Sequence, residues 1–269
     1  MKSLKAESKD SNEGEKDSKG TAQAENSKVE EAAKAEKAAE ETPAEKAAAG
    51  NGSDADGENA SASSSAEPAG TIEPTPSVEE GEKLDAGISY EDALALLKKY
   101  NEDPFHITHG ETVSKLMRYY AKKYDPQNEE FWAICGLLHD LDWEKWNDMM
   151  IHTVKAADLL KEAGVNLQVA HVIQTHNEHV PGLPKPEVKM EKVLFAIDEL
   201  SGLLGAIVLM YPSHSAQDLN LKSVKKKFKD KHFAAGCDRD NIRRGAELNG
   251  MEMDDLFNSM IEAYKATND

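Results

Sequence analysis

Along the C-terminal two-thirds of the chain, apolar residues recur three and four positions apart, the period of helices that bury one face. Phe105, His109, Val113, Leu116 and Tyr120 share one stripe. Trp132, Cys135, Leu138 and His139 share another, and Asp140 adjoins it. His152 falls with Met149, Ala156 and Leu159. In "NLQVAHVIQTHN" the residues Val169, Val172, Ile173 and His176 line one side, while His171 joins Gln168 and Thr175 on the polar side. Asp198 interrupts "VLFAIDELSGLLGAIVLM" and shares its face with Leu194, Ser201, Gly202 and Gly205. Glycines there let another helix approach closely.

Stop and start signals divide these stripes into elements. Ser89 with Asp92 predicts a cap for "YEDALALLKKY", and Asp103-Pro104 opens the helix that carries His109. Asp125-Pro126 ends that helix, and the next is predicted over Glu129 to Asp140. "LDWEKWNDMM" reads as a short connection before the helix of His152, which Gly164 terminates. The helix of His176 is followed by breakers from Val180 to Pro186. A long helix from about Val188 to Met210 stops at Pro212, and three more are expected over Ala216 to Lys229, Asp240 to Leu248 and Asp254 to Ala266. No segment alternates with the period of a strand. The expected fold is an all-α, irregular helical bundle whose polar centre is assembled from several helices.

Composition then separates the chain into two parts. From Met1 to about Lys83 there is no Phe, Trp or Tyr, and 10 lysines stand against 20 acidic residues, so this part holds more than half of the net charge of -18. Such a segment cannot bury enough apolar surface to offset its ordering entropy, which predicts a disordered acidic tail over 1–83 and one folded domain over 84–269. "KVEEAAKAEKAAEETPAEKAA" has helix-supporting Glu/Lys pairs but no apolar stripe. The start lacks the hydrophobic stretch of a secretory signal, and the longest apolar run is about half a membrane span, so a cytoplasmic protein with no membrane partner is expected. Acidity disfavours nucleic acid as a partner. The one basic run, with Lys222, Lys225, Lys226, Lys227 and Lys229, reads as a solvated helix face with Val224 and Phe228 turned inward. Cys135 and Cys237 have no metal-type spacing and read as ordinary reduced residues.

Six side chains on otherwise apolar faces remain to be explained: His109, His139, Asp140, His152, His176 and Asp198. A single histidine on such a face is ordinarily a hydrogen-bonded core residue. Six polar or ionisable groups turned inward each cost a few kcal/mol, in rough terms, unless they are satisfied together. Imidazole with carboxylate and no thiolate suits a divalent transition metal, one or two ions of Fe, Mn, Zn, Co or Ni, and Asp140 can bridge two of them.

The segments "ITHGETV", "CGLLHDLDWEK", "MIHTVKAADLL", "VIQTHNEH" and "LFAIDELSGL" resemble the ligand-bearing segments of the HD superfamily of metal-dependent phosphohydrolases, in particular its small HDIG-type bacterial members. The likeness covers nearly all of Tyr90 to Asp269 and none of the tail. It implies an HD-type helical domain with His109, His139, Asp140 and Asp198 at a first metal site. His152 and His176 would supply a second site with Asp140 as bridge, or face the substrate phosphate if one metal binds. Leu141-Asp142 stands where the family string has Ile-Gly. No Gly-Tyr-Pro follows, and Asn177 rather than a second histidine follows His176, so the likeness does not extend to the cyclic-dinucleotide members. His106 is an alternative first ligand on another part of the helix surface.

The resemblance implies hydrolysis of a small phosphoester, such as a nucleotide, by metal-activated water. His176, His152 and Glu178 are the candidate catalytic residues for protonating the leaving group. Asp142 and Glu199, each beside a proposed ligand, either orient a histidine or face water. Two rivals share the pattern: an HD-fold di-iron oxygenase and a non-catalytic nucleotide sensor.

Overall fold

The first helix, α1 (Tyr90–Tyr100), starts where Ser89 Oγ accepts the Asp92 N–H and donates to the Asp92 carboxylate, the expected cap. Asp103 caps α2 (Pro104–Tyr124) through the Phe105 N–H, with Pro104 in the first turn. The structure, a computed structural model, describes residues 72–268. Along them follow α3 (Glu129–Leu138), α4 (Val154–Glu162), α5 (Leu167–Gln174), α6 (Lys189–Leu209), α7 (Leu221–Lys229), α8 (Arg239–Leu248) and α9 (Met253–Thr267). Gly164, at φ +73°, ends α4 as expected. The described residues contain helices and no strand, so the all-α expectation holds. None of these helices is long and apolar enough to cross a membrane.

Four boundaries differ from expectation. The helix predicted to reach Asp140 stops at Leu138, so His139 and Asp140 stand at its end. His152 precedes α4, and His176 follows α5, both in turns. The stretch from Ala216 to Lys229 is broken: a single 3-10 turn at Ala216–Asp218 is followed by buried Leu219 in extended conformation, and Asn220 caps α7 anew. Apolar period alone carries no information about these breaks, because a turn that buries its side chains keeps the same pattern.

The core lies between α2, α3 and α6, where Val113, Leu116 and Met117 meet Ile134, Leu137, Leu194 and Leu200. The approach of α2 to α3 depends on two glycines. A Cβ on Gly110 would lie 2.8 Å from the Leu137 carbonyl oxygen, and one on Gly136 would lie 2.9 Å from the Val113 carbonyl oxygen. The same crossing sets His109 beside His139. On α6, a Cβ at Gly205 would meet the Tyr264 hydroxyl of α9 at 3.2 Å, a tight contact in keeping with the close approach expected there.

The proposed acidic tail falls, over 1–71, outside the described residues. Its last stretch, 72–83, is described and lies against the helices without regular secondary structure, turning at Glu80 and Gly81. Val78 is buried, the Thr75 hydroxyl donates to Gln174 at 2.9 Å and pairs with His171 at 3.2 Å, and Ile72 packs on Val154, Val180 and Leu183. Packing therefore begins ahead of the 83/84 boundary. Lack of aromatic residues did not reveal this, since one valine and one isoleucine suffice to anchor such a strap.

Two stability tests follow from this packing. A chain beginning at Ile72 should melt several degrees higher than one beginning at Leu84, because burial of a Val side chain stabilises by about 1.5–3 kcal/mol. Equal melting temperatures would show that the strap does not hold. Gly110→Ala should lower the melting temperature by roughly 4–8 °C, the new methyl overpacking backbone at about 2 kcal/mol, despite alanine's better helix propensity. An unchanged or raised value would contradict the close crossing.

Candidate metal centre

His139 and His176 are presented by one device used twice. Each stands just past the end of a helix, where carbonyl groups lack intrahelical partners. His139 Nδ1 donates to Gly136 O at 2.8 Å, and His176 Nδ1 donates to Ile173 O at 2.6 Å. A carbonyl can only accept, so these bonds place the proton on Nδ1 and leave Nε2 with a free lone pair in the neutral ring. His152 reaches the same state differently: its Nδ1 bonds Asp142 Oδ1 at 2.9 Å, and Asp142 Oδ2 accepts the Ala156 N–H at 2.8 Å.

The three bare Nε2 atoms and that of His109 converge with two carboxylates. His139 Nε2 is 3.1 Å from His109 Nε2, and both lie near Asp198 Oδ1, at 3.1 and 3.0 Å. His152 Nε2 and His176 Nε2 face each other at 3.0 Å. Asp140 lies between the two groups. Its Oδ2 is 3.4 Å from His139 Nε2 and 3.7 Å from His109 Nε2, while its Oδ1 is 3.4 Å from His152 Nε2 and 3.7 Å from His176 Nε2. Two sets of donor atoms result, His109, His139, Asp140 and Asp198 in one and Asp140, His152 and His176 in the other, each set within 4.8 Å of itself. All six candidate ligands named from the sequence are thus brought together.

Lone pairs facing lone pairs at about 3 Å repel unless a cation or a proton lies between them. The electrostatics say the same. Burial opposes charge on His139, yet Asp140 and Asp198 outweigh it and hold its pKa well above the usual imidazole range. Burial likewise opposes charge on His152, but Asp142 and Asp140 raise it. Burial resists ionisation of Asp140 and Asp198, and the surrounding imidazoles nevertheless hold both well below the usual carboxylate range. The site is a concentrated negative charge that gathers protons when nothing else is offered, which is the donor chemistry a divalent metal replaces on binding. These residues fit such an ion.

Other named residues lie outside the donor set. His106 bonds Glu144 at 2.9 Å, so it does not take the place of His109. Glu178, two residues past His176, is exposed and pairs with Arg244 at 3.6 Å. Asp142 orients His152, as one of its two readings expected. Glu199 accepts the Asp238 N–H at 3.0 Å, and burial with the neighbouring Asp198 charge pushes its pKa up to about 8. Lys225 pairs with Asp254, and Val224 and Phe228 are buried, in keeping with a solvated lysine face. Cys135 is buried, which raises its thiol pKa.

Sequence reading gave no role to two residues that hold the His152 turn. Asn177 is buried and its Nδ2 donates to Met149 O and His152 O, both at 2.9 Å, tying the turn to the end of α5. Thr153 is fully buried with φ +67°, a left-handed conformation disfavoured for a β-branched residue, and strain of this kind costs about 1–3 kcal/mol. Its Oγ1 finds no partner among the described residues. No composition or spacing signal marks either residue, because both act through backbone geometry.

In comparisons with known proteins, the family model of the HD domain matches residues 107–203, a range that contains all six donors. No curated protein and no solved structure matches the chain.

Asp142→Asn should weaken divalent metal binding by about 10–100-fold, the usual effect of removing an outer carboxylate that fixes a ligand histidine. An amide nitrogen would face either the His152 Nδ1–H or the Ala156 N–H, donor against donor. A metal titration giving wild-type affinity would show that the Asp142 contact does not set the His152 tautomer.

Proposed function

Starting from the HD-domain character of residues 107–203, we propose that this protein is a metal-dependent phosphohydrolase acting on a small phosphoester such as a nucleotide. The observation that supports this best is the division of Asp140, one oxygen toward His109 and His139 and the other toward His152 and His176. His109, His139, Asp140 and Asp198 would hold one ion, and Asp140, His152 and His176 a second. Bound there, a divalent ion supplies Lewis-acid chemistry, polarising a phosphoryl oxygen and making water a competent nucleophile near neutral pH.

The chain's own groups do the rest. Gly136 O, Ile173 O and Asp142 fix three imidazole tautomers so that the lone pairs point inward without reorganisation. His139, His152 and His176 form the buried wall, their side chains 0, 4 and 6% exposed. His109, Asp140 and Asp198, at 15, 21 and 17%, form the open edge by which an ester enters. Of the three candidates for protonating the leaving group, His152 and His176 have both ring nitrogens engaged. Glu178 is the one outside the donor set, and its pairing with Arg244 favours the carboxylate, so it would have to leave that partner to carry a proton to the leaving group.

His176→Ala should lower phosphate release by about 100-fold or more while the helical circular-dichroism signal is kept. Wild-type turnover should be the same with and without oxygen. A reaction that needs O₂ and releases no phosphate or phosphoester product would replace this reading with that of an oxygenase on the same donor set.

A further inference from the structure

Phe105 is 55% exposed, a large aromatic ring left in solvent although an apolar core begins one helical turn away. Its ring lies parallel to the imidazole of His109, at an interplanar angle of 5° and a centroid separation of 6.3 Å. Its other ring contact is an edge with His106, itself held by Glu144. The backbone beneath it is fixed as well, since Asp103 caps α2 through the Phe105 N–H and Glu144 accepts the N–H groups of Glu102 and Asp103. The ring therefore stands on a braced helix start, one side against a donor of the metal centre and the other open.

Its position is set by the asymmetry of the centre. The His152–His176 side is buried, and the solvent-facing donors are His109, Asp140 and Asp198. Phe105 stacks on the histidine of that open edge. An ester whose phosphate reaches the donors on the His109 flank of this edge has the exposed Phe105 ring beside it for its remaining portion to meet. A flat aromatic surface accepts another flat ring in offset stacking, gaining dispersion and quadrupole attraction that a sugar or alkyl group does not match.

We infer that Phe105 is a specificity-determining residue that selects esters bearing a flat aromatic or heterocyclic group, by stacking that group at the open edge of the centre. The inference rests on the phosphohydrolase reading for its substrate, and its test separates the two. Adenosine 5′-monophosphate and ribose 5-phosphate share sugar and phosphate and differ in the base. For metal-loaded full-length protein, kcat/KM should favour the adenine ester by about tenfold or more, most of it in KM. In Phe105→Ala the ratio should fall toward one. In Phe105→Trp it should be kept or increased, with metal content matching wild type in all three proteins.

A wild-type ratio near one, or an equal loss on both esters in Phe105→Ala, would overturn the inference. If neither ester is hydrolysed, the phosphohydrolase reading is the part that fails for these esters, and calorimetric binding of the same two compounds decides about Phe105. Tighter binding of the adenine compound that disappears in Phe105→Ala would support the stacking role. Equal binding, or no binding, would overturn it.

Discussion

Two carboxylates and four imidazole lone pairs are turned toward one another inside an apolar bundle, and the rest of the structure has to accommodate that repulsion. A concentration of negative charge in such surroundings costs several kcal/mol, in rough terms, unless positive charge enters with it. Protons supply some of that charge, as the raised pKa values of His139 and His152 indicate. A divalent ion supplies more of it at fixed geometry, and unlike a proton it can accept several lone pairs at once. The packing around the centre is consistent with this role: the crossing of α2 and α3 at Gly110 and Gly136 brings His109 to His139 before any ion is considered.

Precision comes from helix ends more than helix faces. A histidine one turn inside a helix would bury its ring against its neighbours but leave Nδ1 without a fixed partner. Placed past the last turn, His139 and His176 each donate to a carbonyl in the last turn of the helix before them, and that bond fixes the tautomer. His152 has no helix end to use and relies on Asp142, with Asn177 holding the turn and Thr153 in a strained conformation. Strain tolerated beside a ligand is a common signature of functional geometry.

Much of this was legible in the sequence. The helical period, the caps at Ser89 and Asp103, the Gly164 stop and the all-helical class all appear in the structure. The six donors were visible because ionisable residues on apolar stripes conflict with burial, and the conflict recurs six times. Their turns were not visible, since His152 and His176 keep the apolar spacing of helices they do not belong to. The strap at 72–83 was hidden by composition, because its few apolar anchors sit among Pro, Glu and Ser. Phe105 read as one member of a buried stripe, whereas its ring is exposed: the stripe continues past the point where α2 leaves the core.

The account depends most on Asp140 serving both groups of donors. Metal analysis of full-length protein purified without added ions addresses this directly, comparing wild type with Asp140→Ala and Asp198→Ala. The account predicts tightly held transition metal in the wild type, loss of all of it in Asp140→Ala, and a partial loss in Asp198→Ala, which belongs to one group only. Wild-type metal content in Asp140→Ala would contradict it.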